Sequence, residues 1–135
     1  MKVALLFAFA LSVTGCSDAY EWVAEQKIDG VTIRIGLKPM HPWLAEYKRF
    51  LEVEQTGQIR KKELSPDTGG YVWVALVNNY GVLEVNTLMG TEYSIPINRL
   101  PKNMRLYFGR FDFDSGHHFK FVAATADPRE PEPPK

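Results

Sequence analysis

The sequence predicts an all-β domain, either a small antiparallel β-sandwich or a small barrel. Three observations favour this class. Short runs of apolar or alternating residues recur along the chain, glycine-containing turns separate them, and no segment keeps the periodicity of a long helix. The 135 residues suffice for one domain with its own core. We expect about eight or nine short strands.

The clearest hairpin lies near the start of the domain. Residues 31–37, VTIRIGL, alternate between apolar and polar side chains, and residues 20–28 alternate more weakly. Asp29-Gly30 stands between the two segments, and Asp-Gly is a strong signal for a two-residue turn. The alternative for residues 18–27 is a helix with Asp18 as its N-cap and Glu21 three residues later.

Residues 41–55 permit two interpretations. Trp43, Leu44, Tyr47 and Leu51 match helical spacing, whereas Tyr47, Leu51 and Val53 fit a strand. We predict a strand from about Glu46, preceded by a loop or a single helical turn. It turns at Thr56-Gly57 and returns through residues 59–64, and the following PDTGG, residues 66–70, predicts a turn or loop.

Residues 71–77, YVWVALV, are apolar at every position, which favours a central strand buried on both faces. Further strands are predicted at residues 82–88 and 92–97, where Pro96 indicates a sheet edge or a strand end. A last hairpin is predicted from residues 104–113 and 118–123 around the turn DSGH. Residues 126–135 are proline-rich and predict a disordered tail.

The N-terminus has the composition of a secretory signal. Lys2 precedes an apolar run, residues 3–11, which is far shorter than the roughly 20 residues that a membrane-spanning helix needs. Val13-Thr14-Gly15-Cys16 resembles the bacterial lipobox. The resemblance implies that residues 1–15 are removed and that Cys16 carries a diacylglyceryl thioether and an acylated amino group. Cleavage after Ala19, which would leave a soluble secreted protein, is the alternative.

Lipidation would place residues 16–125, the predicted β domain, on a membrane. Ser17 occupies the position where an aspartate acts as an inner-membrane retention signal in lipoproteins of enteric-type bacteria, so the resemblance implies the periplasmic face of the outer membrane. Asp18, one position later, leaves the inner membrane as an alternative location. Because Cys16 is the single cysteine, its acylation would leave no thiol for disulfides, catalysis or zinc.

The charge balance argues against nucleic-acid partners. The whole chain has 16 basic and 16 acidic residues, and loss of Lys2 with the signal changes this to 15 against 16, a net charge of −1 with histidine neutral. This balance leaves no large basic footprint for nucleic acid or for an anionic lipid surface.

Two acidic groups are candidates for chemistry. Asp67-Thr68-Gly69 has the letters of the aspartic protease motif, in which two aspartates share a proton, but a turn stabilised by Asp67 is the simpler interpretation. Asp112, Asp114 and His118 could converge on a divalent metal across the last hairpin. The alternative is that the acids face solvent and that residues 114–117 only form the turn.

The basic and aromatic residues suggest packing or binding surfaces instead of catalytic groups. Arg60-Lys61-Lys62 should lie opposite Glu52 and Glu54 in a hairpin, which predicts cross-strand ion pairs, with lipid head groups as an alternative contact. Five aromatic residues permit two interpretations: Tyr20, Trp22, Trp43, Tyr47 and Tyr71. We expect them to pack in the core or at sheet edges, and the alternative is an exposed patch that recognises a protein or glycan.

The sequence therefore predicts a lipid-anchored, non-catalytic binding module of the cell envelope, with no cofactor or metal and with another envelope component as its partner. An inhibitor or immunity role against a wall-attacking enzyme is one variant. The alternative is a small metal-dependent or aspartic hydrolase. The globular part resembles small uncharacterised bacterial envelope proteins with stretches like LSPDTGGY and FGRFDFD, a resemblance that implies one compact domain and no particular activity.

Overall fold

A computed structural model describes residues 20–70, 72–114 and 116–124. Within these ranges the chain forms nine strands in two antiparallel sheets packed as a sandwich. The strands are β1 (Trp22–Ile28), β2 (Val31–Pro39), β3 (Tyr47–Gln55), β4 (Gln58–Asp67), β5 (Val74–Asn79), β6 (Val82–Thr87), β7 (Gly90–Pro96), β8 (Arg105–Phe113) and β9 (Phe119–Ala123). One sheet has the order β1-β2-β3-β4 and the other β7-β6-β5-β8-β9. The all-β prediction is confirmed, as a sandwich.

Three two-residue turns connect neighbouring strands. Asp29-Gly30, Thr56-Gly57 and Tyr80-Gly81 all have positive φ at both positions, between 47° and 91°. This backbone is that of the type I′ turn, whose twist matches the twist of the flanking strands. The predicted hairpins at residues 29–30 and 56–57 are confirmed. The helical alternative for residues 18–27 is wrong from Trp22 onwards, because that segment pairs with β2 along its whole length.

The core lies between the sheets and follows the alternation of the strands. Every second residue of β2 points inward, and Val31, Ile33, Ile35 and Leu37 are at most 1% exposed. The facing sheet contributes Val74, Leu76 and Phe111, each with no exposed surface. Burial of this apolar surface is the main stabilising contribution to the fold.

The central strand lies where the sequence predicts, with shifted ends. β5 is the middle strand of the five-stranded sheet, but it begins at Val74 and continues through Asn78 and Asn79. Asn78 is fully buried, and its side-chain amide donates to the carbonyl oxygens of Pro101 and Met104. Its Oδ1 accepts the N–H of Gly81. These hydrogen bonds make a polar side chain acceptable at the end of a buried strand.

The loop before β3 agrees with the predicted loop and strand from about Glu46, whereas the end of β4 differs from its expected boundary. Residues 40–46 form an irregular loop, closed by a 2.8 Å hydrogen bond from the Met40 N–H to the Glu46 carbonyl, and β3 begins at Tyr47. Pro66 and Asp67 were expected in a turn but belong to β4, where Asp67 pairs with Tyr47. Pro66 is tolerated because β4 is an edge strand, which needs no donor on its free side.

The edge strands β4 and β7 belong to different sheets and are joined by Glu92. Its carboxylate accepts the Ser65 N–H at 2.7 Å and the Thr87 hydroxyl at 2.5 Å, and its carbonyl oxygen accepts the Lys62 ammonium. Arg49 is 2% exposed, donates to the Ser65 carbonyl at 2.7 Å and has its Nη2 3.9 Å from Glu92 Oε1. One carboxylate thus connects β3, β4, β6 and β7.

The charge state of Glu92 follows from these contacts. Burial alone raises its pKa, but hydrogen bonds from Thr87 and Ser65, together with the charge of Arg49, outweigh burial and hold the pKa below the ordinary value of 4.5. Burial also lowers the pKa of Arg49, against the charges of Asp67 and Glu92. An arginine nevertheless remains a cation, so the pair is charged at neutral pH.

We predict that Glu92 makes the fold acid-sensitive. Because folding lowers its pKa, the carboxylate stabilises the fold above pH 4.5, and this contribution is lost as pH falls through the lower folded-state value. Glu92→Gln should lower the free energy of unfolding at neutral pH by about 2 to 4 kcal/mol. It should also remove part of the acid dependence in urea denaturation.

Glu63→Gln is the matched control, because Glu63 is an exposed acid on the adjacent edge strand β4. We expect this control to change the free energy of unfolding by less than about 0.5 kcal/mol. Identical pH profiles for the wild type and Glu92→Gln would contradict the role of Glu92.

Candidate functional site

One end of the sandwich collects aromatic side chains from both sheets. Trp22 of β1 lies with its ring centroid 4.9 Å from Phe113 of β8 and 5.7 Å from Tyr47 of β3. Phe113 and Tyr47 are 5.3 Å apart, and the edge-to-face angles are those that aromatic pairs prefer. These contacts connect the β1 side of one sheet to the β8–β9 side of the other. We call this region, with loop 40–46, the aromatic end.

His117 covers part of Trp22 from the turn between β8 and β9. Its ring is stacked on Trp22 at 6.2 Å with an interplanar angle of 15°. The turn is organised by Asp114, whose Oδ1 accepts the N–H groups of Gly116 and His118 at 2.9 Å. These hydrogen bonds, led by the one from His118, hold the pKa of Asp114 below its ordinary value. Asp114 therefore acts as the turn former that presents His117.

Loop 40–46 forms the opposite wall of the aromatic end. The His41 imidazole lies 3.2 Å from a Glu46 carboxylate oxygen, which adds a side-chain contact to the backbone hydrogen bond that closes the loop. Trp43 is 81% exposed, and Met40 and Leu44 are 39% and 49% exposed. The loop thus has a fixed base and an apolar tip.

A groove open to solvent runs between this loop and the aromatic cluster. Its volume is about 620 Å³, within the range of ligand-binding clefts. We call it the aromatic groove; it is lined by Glu21, Trp22, Pro39, His41, Pro42, Leu44, Tyr47 and His117. At the far end of the sandwich, a depression near Val53 and Tyr93 holds only about 80 Å³, which is room for a few waters.

A second depression, of about 400 Å³, lies on the other side of the loop. Tyr20 forms part of its wall and packs on Phe50, with ring centroids 4.6 Å apart. Gly36 makes room for Tyr20, because a Cβ at this position would lie 2.6 Å from the tyrosine ring. Tyr20 is therefore a fixed point at which the chain leaves the sheet towards its N-terminus.

The structure brings four of the predicted aromatic residues to this end. Tyr47 is buried and Trp22 is half-buried, so they pack in the cluster and expose only the edges that line the groove. Tyr20 covers Gly36, and Trp43 alone of the four is extensively exposed. Tyr71, Cys16, the signal residues 1–15 and the tail 126–135 lie outside the described residues.

Asp67 has the contacts of a turn-forming residue. Its Oδ1 accepts the Gly69 N–H at 2.8 Å, as the simpler interpretation expects. The side chain is 6% exposed and close enough to Arg49 for their charges to interact. Its Oδ2 is buried and has no hydrogen-bond partner within the described residues.

The residues of the last hairpin are not brought together as a metal site. Asp112 Oδ2 accepts two hydrogen bonds from Arg110, at 3.0 and 3.1 Å. Asp114 instead faces His118, whose Nδ1 is 3.4 Å away, and forms the turn. Among residues 20–70, 72–114 and 116–124 no three acids, histidines or cysteines are grouped as metal ligands.

The basic run forms the expected cross-strand contacts only in part. Lys61 pairs with Glu52, with 3.5 Å between Nζ and the carboxylate, whereas Lys62 reaches Glu92 in the other sheet. Glu54 instead accepts a hydrogen bond from Arg34, which also bonds Glu25 and Glu52. Arg34 was not predicted to join this network; its position on the outward face of an alternating strand was the available signal.

Two further charged residues were also missed, the buried Arg49 and the partly buried Glu92. Arg49 occupies an inward position between Tyr47 and Leu51, and Glu92 lies in a segment that was predicted only as a strand. A charged residue at an inward position of an alternating strand indicates a buried partner, although it does not identify that partner.

No family model, curated protein or solved structure matches this chain. Across the described part of the chain, no helix is long and apolar enough to span a membrane.

We predict that Trp22 and Trp43 differ sharply in their importance for stability. Trp22→Ala should lower the free energy of unfolding by about 2 to 3 kcal/mol, because it removes the ring that joins the two sheets. Trp43→Ala should change it by less than about 0.5 kcal/mol, because this ring is almost fully in solvent. Chemical denaturation measures both. A large loss of stability in Trp43→Ala would contradict the description of loop 40–46.

Proposed function

We propose that this protein is a lipid-anchored, non-catalytic interaction module of the cell envelope, held at the periplasmic face of the outer membrane. The observation that carries the proposal is the sequence Val13-Thr14-Gly15-Cys16 at the end of a short apolar segment. In this proposal Cys16 is the lipidated residue. Two or more acyl chains would anchor the domain stably, whereas a single chain binds only marginally.

The aromatic groove is the surface that we propose for the partner. Its floor consists of Trp22 and Tyr47, residue types that are enriched at protein interfaces, and its rim includes Glu21, His41 and His117. The aromatic cluster beneath the floor limits the ordering that binding would require, which favours affinity. The partner class is another envelope protein, and a wall-attacking enzyme would fit the inhibitor or immunity variant.

The position of the anchor supports a partner close to the membrane. Cys16 precedes Tyr20 by four residues, which span at most about 14 Å when extended. Tyr20 is held against Phe50 near the aromatic end. A lipid on Cys16 would therefore keep the groove near the bilayer surface.

The test is a crosslinking pull-down of the native protein from intact envelopes, with Cys16→Ser as the matched control. We expect the wild type to carry the mass of the lipid, to fractionate with membranes and to recover one dominant envelope protein. The Cys16→Ser variant should lose the lipid mass, leave the membrane fraction and recover far less of that protein.

The two parts of the proposal fail separately in this experiment. An unchanged mass and unchanged membrane fractionation of Cys16→Ser would overturn the anchor. A lipidated wild type that crosslinks to no protein would overturn the interaction module.

A further inference from the structure

The tip of loop 40–46 is the most exposed apolar feature at the aromatic end. Trp43 is 81% exposed and lines neither of the two depressions beside the loop, so it points away from the domain. Met40 and Leu44 flank it and are also exposed. A tryptophan that contributes nothing to the core of its own domain is the kind of residue that contacts another surface.

The base of loop 40–46 lies beside Tyr20, from which the chain continues towards the N-terminus. Tyr20, Met40 and His41 line the same depression, and Tyr20 is fixed between Gly36 and Phe50. Because Cys16 is only four residues from Tyr20, a bilayer that holds Cys16 lies within about 14 Å of this depression. The short connection does not allow the domain to move far from the membrane surface.

Two lysines beside this depression carry the positive charge that a phosphate-rich surface would attract. Lys38 and Lys48 lie directly opposite each other on β2 and β3, both are exposed, and both line the depression beside the loop. Like charges in direct cross-strand positions repel each other, and neither lysine has an ion-pair partner within the described residues. The acid that shares this depression is Glu63, and the nearby Glu46 is engaged by His41.

We propose that loop 40–46 inserts Trp43 and its apolar neighbours into the head-group region of the bilayer that holds the lipid anchor. Tryptophan prefers this interface, where its ring is partly desolvated and its N–H remains hydrogen-bonded. Lys38 and Lys48 would then face the lipid phosphates. This inference rests on the proposed anchor, and it adds a second contact that fixes the orientation of the groove above the membrane.

The test uses the native lipidated protein in phospholipid vesicles with brominated acyl chains, which quench tryptophan only at contact depth. The chain has three tryptophans, of which Trp73 is 8% exposed and Trp22 is half-buried in the aromatic cluster. The difference between the wild type and Trp43→Phe therefore reports Trp43. We expect the brominated lipid to quench most of this difference, and Tyr80→Ala, altered at the opposite end of the sandwich, to behave as the wild type.

The outcomes separate this inference from the proposed anchor. A protein that floats with the vesicles while the emission of Trp43 is insensitive to brominated lipid would overturn the loop insertion and leave the anchor intact. Failure to carry lipid or to float would overturn the anchor. A photoreactive residue at position 43 that crosslinks in envelopes to a protein, and not to lipid, would overturn the bilayer as the occupant.

Discussion

Glu92 joins strands that no backbone ladder connects. The sheets end in edge strands β4 and β7, and the carboxylate of Glu92 accepts a backbone N–H from one of them while it is itself part of the other. Burial of this charge is costly, and Arg49 and Thr87 offset the cost by a nearby cation and a hydroxyl donor. With this seam closed, each sheet has a fixed partner and the core is protected from solvent on that side.

The opposite seam is closed by aromatic contacts, and this difference produces the candidate site. Trp22, Tyr47 and Phe113 pack across it, and the half-buried Trp22 leaves part of its ring open to the groove. Tyr47, at the start of β3, pairs with Asp67, at the end of β4. The charged network around Glu92 and the aromatic cluster therefore close different sides of the sandwich but meet at the same end. Loop 40–46 is thus attached to a rigid base on both sides, and such loops on a rigid scaffold are suited to binding.

The parts of this structure that follow from local rules were predictable from the sequence. Alternation identified β2 and its buried face, and Asp29-Gly30 and Thr56-Gly57 identified their turns because two-residue hairpins require positive φ. The ends of β4 and β5 were not predictable locally, since Asp67 pairs across the sheet and the side-chain amide of Asn78 finds its carbonyl acceptors more than twenty residues away. The groove was missed for the same reason: Trp22, His41 and His117 are brought together only by the sandwich topology.

We propose that the aromatic groove, kept near the membrane by a lipid on Cys16, receives an envelope partner. Site-specific photocrosslinking in intact envelopes tests this proposal, with the photoreactive residue at the exposed His117, which lines the groove on the side away from loop 40–46, and at Tyr80, which is 60% exposed at the opposite end. We expect one protein adduct from position 117 that is absent from position 80. Equal labelling from both positions, or an adduct from position 80 alone, would contradict it.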